Sequence, residues 1–140
     1  MKILQFLSQS PDFQLDSKSK QLKNQLQLRL NEHDLTRTQA LFLVALYFEE
    51  GHQVSFDQLS QTFEISKGGL SQNLSLLENK KLIRRSAQKG DRRANDVTLR
   101  DEAKDLCIKL IGIFDQHQRE VESRVEDSEL KDFFSTLEKL

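Results

Sequence analysis

Cysteine and proline each occur once in these 140 residues, and tryptophan does not occur at all. The lone Cys107 forms no internal disulfide, which excludes a disulfide-stapled scaffold and favours a reducing, cytoplasmic setting. Its place on an apolar stripe between Ala103 and Leu110 points to a buried, inert thiol rather than a redox sensor. No apolar run reaches the roughly 18 to 20 residues that a membrane span requires, so no membrane partner is expected. The opening MKILQFLSQS has one lysine and an apolar patch broken by Gln5 and Ser8, which is not the pattern of a secretory signal. Enzyme signatures are missing as well: there is no Gly-rich phosphate loop, no HExxH and no nucleophile elbow. His33, His52 and His117 are far apart in sequence and none forms a closely spaced metal pair; Glu49, Glu50 and His52 read as a solvated helix end rather than an ion site, and no metal or cofactor is expected.

What the chain does have is charge, at 31% of residues against 36% hydrophobic, the balance of a folded, largely helical domain rather than a disordered one. The net charge of −1 hides an uneven distribution. Residues 1–65 carry −2 and residues 101–140 carry −5, while residues 66–100 carry nine basic and three acidic side chains, +6 in all. A positive field confined to a quarter of the chain fits either a solvated charged face or a polyanion-binding surface.

Periodicity divides the chain into parts of one domain. Leu15, Leu22, Leu26 and Leu30 lie at helical spacing over about residues 12–32, with Pro11 at the approach. In LTRTQALFLVALYFEEG, Thr36 and Gln39 form a capping box, Gly51 offers a left-handed stop, and the apolar middle predicts a central helix packed on several sides. A short helix follows, capped by Ser55 with Gln58 three residues later. Another begins at Ser66 with Leu70, Leu74 and Leu77 facing inward, and the tight FEISK link between the two reads as a helix-turn-helix. LIRRSA and DVTLR then read as short strands around the basic loop QKGDRRAN, a β-hairpin wing. Ala103, Leu106, Cys107, Leu110, Ile111, Phe114, Val121 and Val125 form a long helical stripe. Leu130, Phe133, Phe134 and Leu137 form another after a cap at Asp127 or Ser128.

The fold class that results is mainly α with a small β-hairpin wing: a winged helix-turn-helix (35–100) between an N-terminal dimerisation arm (1–34) and C-terminal dimerisation helices (101–140). Dimerisation follows from area, because the terminal stripes, with Leu22, Leu26, Phe114, Val121, Phe133, Phe134 and Leu137, exceed what one small winged domain covers. Leaving apolar surface in water is unfavourable by about 25 cal/mol per Å². DNA reading follows from residue type. Ser66, Lys67, Gly68, Gly69, Ser71, Gln72 and Asn73 put small and hydrogen-bonding groups at the positive end of a helix, where base edges and phosphates approach. The paired glycines either admit the DNA backbone or relieve crowding against a neighbouring helix. On the wing, Lys89, Arg92 and Arg93 are the DNA contacts, with one of the two arginines in the minor groove, and Asp91 orients a nearby arginine.

The order LTRTQ, LSLLENKKLIRR, GDRRANDVTL and a helical C-terminus resembles the MarR family of bacterial winged-helix regulators across almost the whole chain. The D-x-R of the wing, Asp91-Arg92-Arg93, stands before Val97-Thr98-Leu99, and Leu77-Glu78-Asn79-Lys80 matches the family's L-E-x-K. The resemblance implies a homodimer with interlocked terminal helices on a pseudo-palindromic double-stranded DNA operator, and repression lifted by a small-molecule or other effector. Two departures accompany it. Lys81 stands where the family commonly has glycine, so a different backbone conformation is expected there. Arg100 follows Leu99 where the family has threonine, leaving Asp101 as a shifted helix cap. The competing reading is a winged-helix adaptor whose basic wing meets an acidic protein partner.

Overall fold

The computed structural model describes residues 1–87 and 95–140. The wing tip, and with it the readings of Lys89, Asp91, Arg92 and Arg93, lies outside the described residues. A short helix α1 (Lys2–Ser8) precedes the long arm helix α2 (Pro11–Leu30). Pro11 is the first residue of α2 rather than a marker ahead of it; the amide proton it lacks would have no partner in a helix's first turn. A single 3-10 turn, Asn31–His33, closes on Asp34 in the left-handed region at φ 52°.

Helix α3 (Arg37–Phe48) forms the centre of the molecule. Both halves of its expected capping box are present, Thr36 Oγ1 accepting from the Gln39 amide and Gln39 Oε1 from the Thr36 amide. Ala40, Phe42, Leu43, Val44 and Leu46 are all buried, against α2, α6 and the sheet. Gly51 takes the expected left-handed conformation at φ 70°, inside a 3-10 turn, Glu50–His52, beyond the end of α3.

The helix-turn-helix consists of α4 (Phe56–Thr62), capped by Ser55 as read from sequence, and α5 (Lys67–Asn79), capped by Ser66. The link between them is a Schellman turn. Glu64 is left-handed at φ 50°, its amide donates to Gln61 O at 3.4 Å, and the Ile65 amide donates to Ser60 O at 3.2 Å. The end of α5 repeats the device. Lys81 is left-handed at φ 59°, with the Lys81 amide to Glu78 O at 2.9 Å and the Leu82 amide to Leu77 O at 3.1 Å. The expectation of a different conformation at Lys81 is therefore corrected: the lysine adopts the geometry that glycine would favour.

The hairpin strands β2 (Ile83–Ala87) and β3 (Asn95–Leu99) pair antiparallel with Arg85 opposite Val97. A strand absent from the sequence reading, β1 (Gln53–Ser55), adds to the other edge of β3 with Val54 opposite Val97, giving the order β1-β3-β2. Three residues are too few for alternation to register, which is why periodicity misses it. After the sheet, Asp101 does not cap the next helix. It begins a 3-10 turn, Asp101–Ala103, and its carboxylate meets Lys104 Nζ at 3.0 Å, where α6 (Lys104–Glu122) starts. Helix α7 (Asp127–Lys139) is capped by Glu126, paired with Glu129, one or two residues earlier than expected.

One core joins the parts: Leu26 and Leu30 of α2, the buried face of α3, Leu59, Leu70, Leu74 and Leu77 of the helix-turn-helix, Ile83, Val97 and Leu99 of the sheet, and Ala103, Cys107 and Leu110. Cys107 is enclosed, its thiol donating to Leu43 O at 3.6 Å, and burial pushes its pKa to about 11. Such a thiol has almost no thiolate near neutrality.

Candidate nucleic-acid interface

The inward leucines of α5 fix which side of the helix faces out. With Leu70, Leu74 and Leu77 in the core, Ser66, Lys67, Gly68 and Gln72 fall on the exposed side. The first turn is held by Ser66, whose Oγ accepts from the Gly69 amide at 3.1 Å. The two glycines are not equivalent. A Cβ at Gly69 would lie 3.1 Å from Ser66 Oγ and 3.3 Å from Ile65 Cγ1, so Gly69 relieves crowding, within its own turn rather than against another helix. A Cβ at Gly68 would meet nothing within 4 Å. No contact inside the described residues calls for glycine at 68, and the position is open to a surface approaching from outside.

The remaining sequence candidates divide between exposed and internally bonded side chains. Lys67 is 79% exposed and forms only a loose pair with Asp57 at 3.9 Å, which leaves its charge available to solvent. Ser71 is half-buried and accepts from Arg85 Nη1 at 3.3 Å. Asn73 is also half-buried; it donates from Nδ2 to Gly69 O at 2.9 Å and accepts from Gln39 Nε2 at 3.3 Å. Both of these side chains face neighbours in the chain. The structure thus brings Ser66, Lys67, Gly68 and Gln72 together on the outer face and sets Gly69, Ser71 and Asn73 beneath them.

Several residues that shape this surface are not among the contact residues read from sequence. Arg85 is a residue of β2, its guanidinium 5.6 Å from the Phe56 ring centre, and its backbone amide donates to Glu78 Oε2 at 3.1 Å. One arginine therefore joins β2 to both helices of the helix-turn-helix. Lys80, of the L-E-x-K motif, bonds the backbone oxygen of Asp34 and lies 3.2 Å from its carboxylate, which ties the end of α5 to the end of the arm. Gln27 of α2 spans the same junction, donating to Leu35 O at 2.8 Å and accepting from the Arg37 amide at 2.9 Å. These ties depend on pairs 7 to 46 residues apart, and nothing local in the sequence marks them.

The terminal residues read as dimer contacts also divide. Leu26 is buried in the chain's own core at 4% exposure, and Leu22, Phe114 and Val121 are half-buried. Phe133, Phe134 and Leu137 of α7 are 49%, 54% and 40% exposed, and the apolar patch of α1, with Ile3, Leu4 and Phe6, is exposed too, though not among the dimer contacts read from sequence.

Between α2, α3, α6 and α7 lies a cavity of about 440 Å³. Leu22, Phe114 and Phe133 supply apolar wall, Lys23, Arg37 and His117 supply nitrogen groups, and no carboxylate lines it. Burial, followed by the nearby charges of Arg29 and Arg124, holds the His117 pKa below the ordinary imidazole value.

A capped, outward-facing second helix beside a three-stranded sheet defines a winged helix-turn-helix protein. The sequence model of the MarR family matches residues 33–94, from the end of the arm into the wing. Members of the family are transcription regulators, not enzymes. The fold of nearly the whole chain is shared with solved structures. Staphylococcus aureus MepR in complex with DNA is 22% identical over 93% of this chain and 95% of that one, with a TM-score of 0.86. Bordetella bronchiseptica BpsR, whose DNA binding is regulated by 6-hydroxynicotinic acid, is 20% identical over 94% and 93%, with a TM-score of 0.82. Streptomyces coelicolor Sco3205 in complex with DNA is 19% identical over 92% and 86%, with a TM-score of 0.79. Among the described residues, no helix is long and apolar enough to cross a membrane.

Proposed function

We propose that the chain is a cytoplasmic, homodimeric, sequence-specific double-stranded DNA-binding regulator, a repressor of a pseudo-palindromic operator that a small-molecule effector releases. The observation that carries the reading is the outer face of α5: a capped first turn with open space at Gly68, flanked by exposed Ser66, Lys67 and Gln72. That combination puts backbone, a positive charge and a bidentate amide where a major groove would meet them. MepR and Sco3205, which share the fold, were solved bound to DNA. The exposed phenylalanines of α7 and the apolar patch of α1 support self-association. The cavity behind α2, with its cationic rim, supports an effector, and BpsR offers a regulated example on the same fold.

Selection of duplexes from a random pool by the purified protein, with excess nonspecific duplex present, tests this directly. The expected product is an inverted repeat with half-sites about one helical turn apart, bound less tightly as salt rises. Recovery of no motif would overturn the reading and leave the adaptor alternative, in which an acidic protein meets the wing.

A further inference from the structure

Gln39, in the first turn of α3, is a polar side chain buried to 6% exposure, and it stands in the middle of a continuous chain of hydrogen bonds. The Thr36 amide donates to Gln39 Oε1 at 3.2 Å, Gln39 Nε2 donates to Asn73 Oδ1 at 3.3 Å, and Asn73 Nδ2 donates to Gly69 O at 2.9 Å. From the other side, the Gly69 amide donates to Ser66 Oγ at 3.1 Å. Both polar backbone groups of Gly69 are thus gripped by side chains. Two adjacent glycines make the first turn of α5 the weakest part of that helix, by about 1 kcal/mol each relative to alanine. It is also the turn whose placement matters most for reading bases, because small displacements there move Ser66, Gly68 and Gln72 together.

Resting on the DNA-binding reading above, we propose that Gln39, acting through Asn73, is a positioning residue that locks the glycine turn of the recognition helix onto the N-terminus of α3, and that Asn73 serves this lock rather than reading a base. The Thr36 end of the lock sits at the junction that Gln27 ties to the arm, so it joins the recognition turn to the part of the molecule expected to dimerise.

Gln39→Glu separates the lock from the cap. Glutamate completes a capping box as well as glutamine does, but its carboxylate cannot donate to Asn73 Oδ1, and flipping the Asn73 amide to compensate would give up the bond to Gly69 O. Protonation of the partly buried carboxyl restores a donor. At about pH 8 the variant is expected to lose on the order of tenfold in affinity for the selected operator, the size of one buried hydrogen bond. Affinity for a scrambled duplex is expected to hold. The operator loss is expected to recover relative to wild type as pH is lowered towards about 6, where a carboxyl raised by burial takes up its proton. Asn73→Ala is expected to show the same operator-selective loss without the pH recovery, and Gln39→Glu should add nothing in that background. Equal losses on both duplexes, following thermal stability and indifferent to pH, would mean a merely structural role and overturn the proposal. Operator affinity unchanged in Gln39→Glu and Asn73→Ala, with wild type still preferring its operator, would overturn the proposal alone. A wild type without operator preference would overturn it together with the DNA-binding reading.

Discussion

Gly68 and Lys81 place a glycine where the fold does not ask for one and a lysine where the fold would accept a glycine. Gly68→Ala meets no steric obstacle within the chain, so it should stabilise the protein by up to about 1 kcal/mol through helix propensity. If the open space at Gly68 serves DNA, the same variant should bind duplex less tightly. A rise in melting temperature together with a fall in affinity is the expected pair, and unchanged affinity would remove the reason offered for the glycine. Lys81 occupies the left-handed position of a Schellman turn, a conformation that costs a non-glycine residue about 1–2 kcal/mol. Lys81→Gly should therefore raise stability in denaturant titration by about 1 kcal/mol. His117 titrates with a definite sign. Its folded pKa is held below the ordinary value, so near pH 5 to 6 the unfolded chain binds more protons than the folded one, and stability falls as pH drops through about 6.5. His117→Gln should flatten that acid-side decline, which thermal melts across the range would show.

Whole elements were legible wherever a local signal was complete. The capping boxes at Thr36 and Ser55 and the cap at Ser66 placed α3, α4 and α5, because each needs only residues three apart. The start of α7 was misplaced by one or two residues, because a glutamate performed a capping task that Asp127 or Ser128 fits by type. The candidate site was only half legible: residue type points to the first turn of α5, but which side chains face outward depends on partners far along the chain. Asn73 and Ser71, which fit base reading by residue type, bond Gln39 and Arg85 within the chain. The wing belongs to this scale too. Replacing Arg92 and Arg93 together with alanine should weaken binding to all duplexes and reduce the salt dependence, whereas Gln72→Ala should relax preference at particular base pairs. Competition binding against single-base operator variants distinguishes the two patterns, and wild-type behaviour in both variants would remove the wing and Gln72 from the interface.

At the scale of the molecule, polar ties run from the arm to α5: Gln27 across the junction to Leu35 and Arg37, Asp34 to Lys80, and Gln39 to Asn73. A partner chain gripping α1, α2 and α7 would therefore fix the direction of α5 as well as its distance from a second copy. On the proposed function, two such chains present their α5 helices one helical turn apart on the same side of the duplex. Inserting about five base pairs between the half-sites of the selected operator turns one half-site to the opposite face of the DNA while leaving each half-site intact. The expected result is loss of nearly all operator preference, down to the affinity for scrambled duplex. Affinity unchanged by the insertion would mean that each chain binds alone, and would contradict the account.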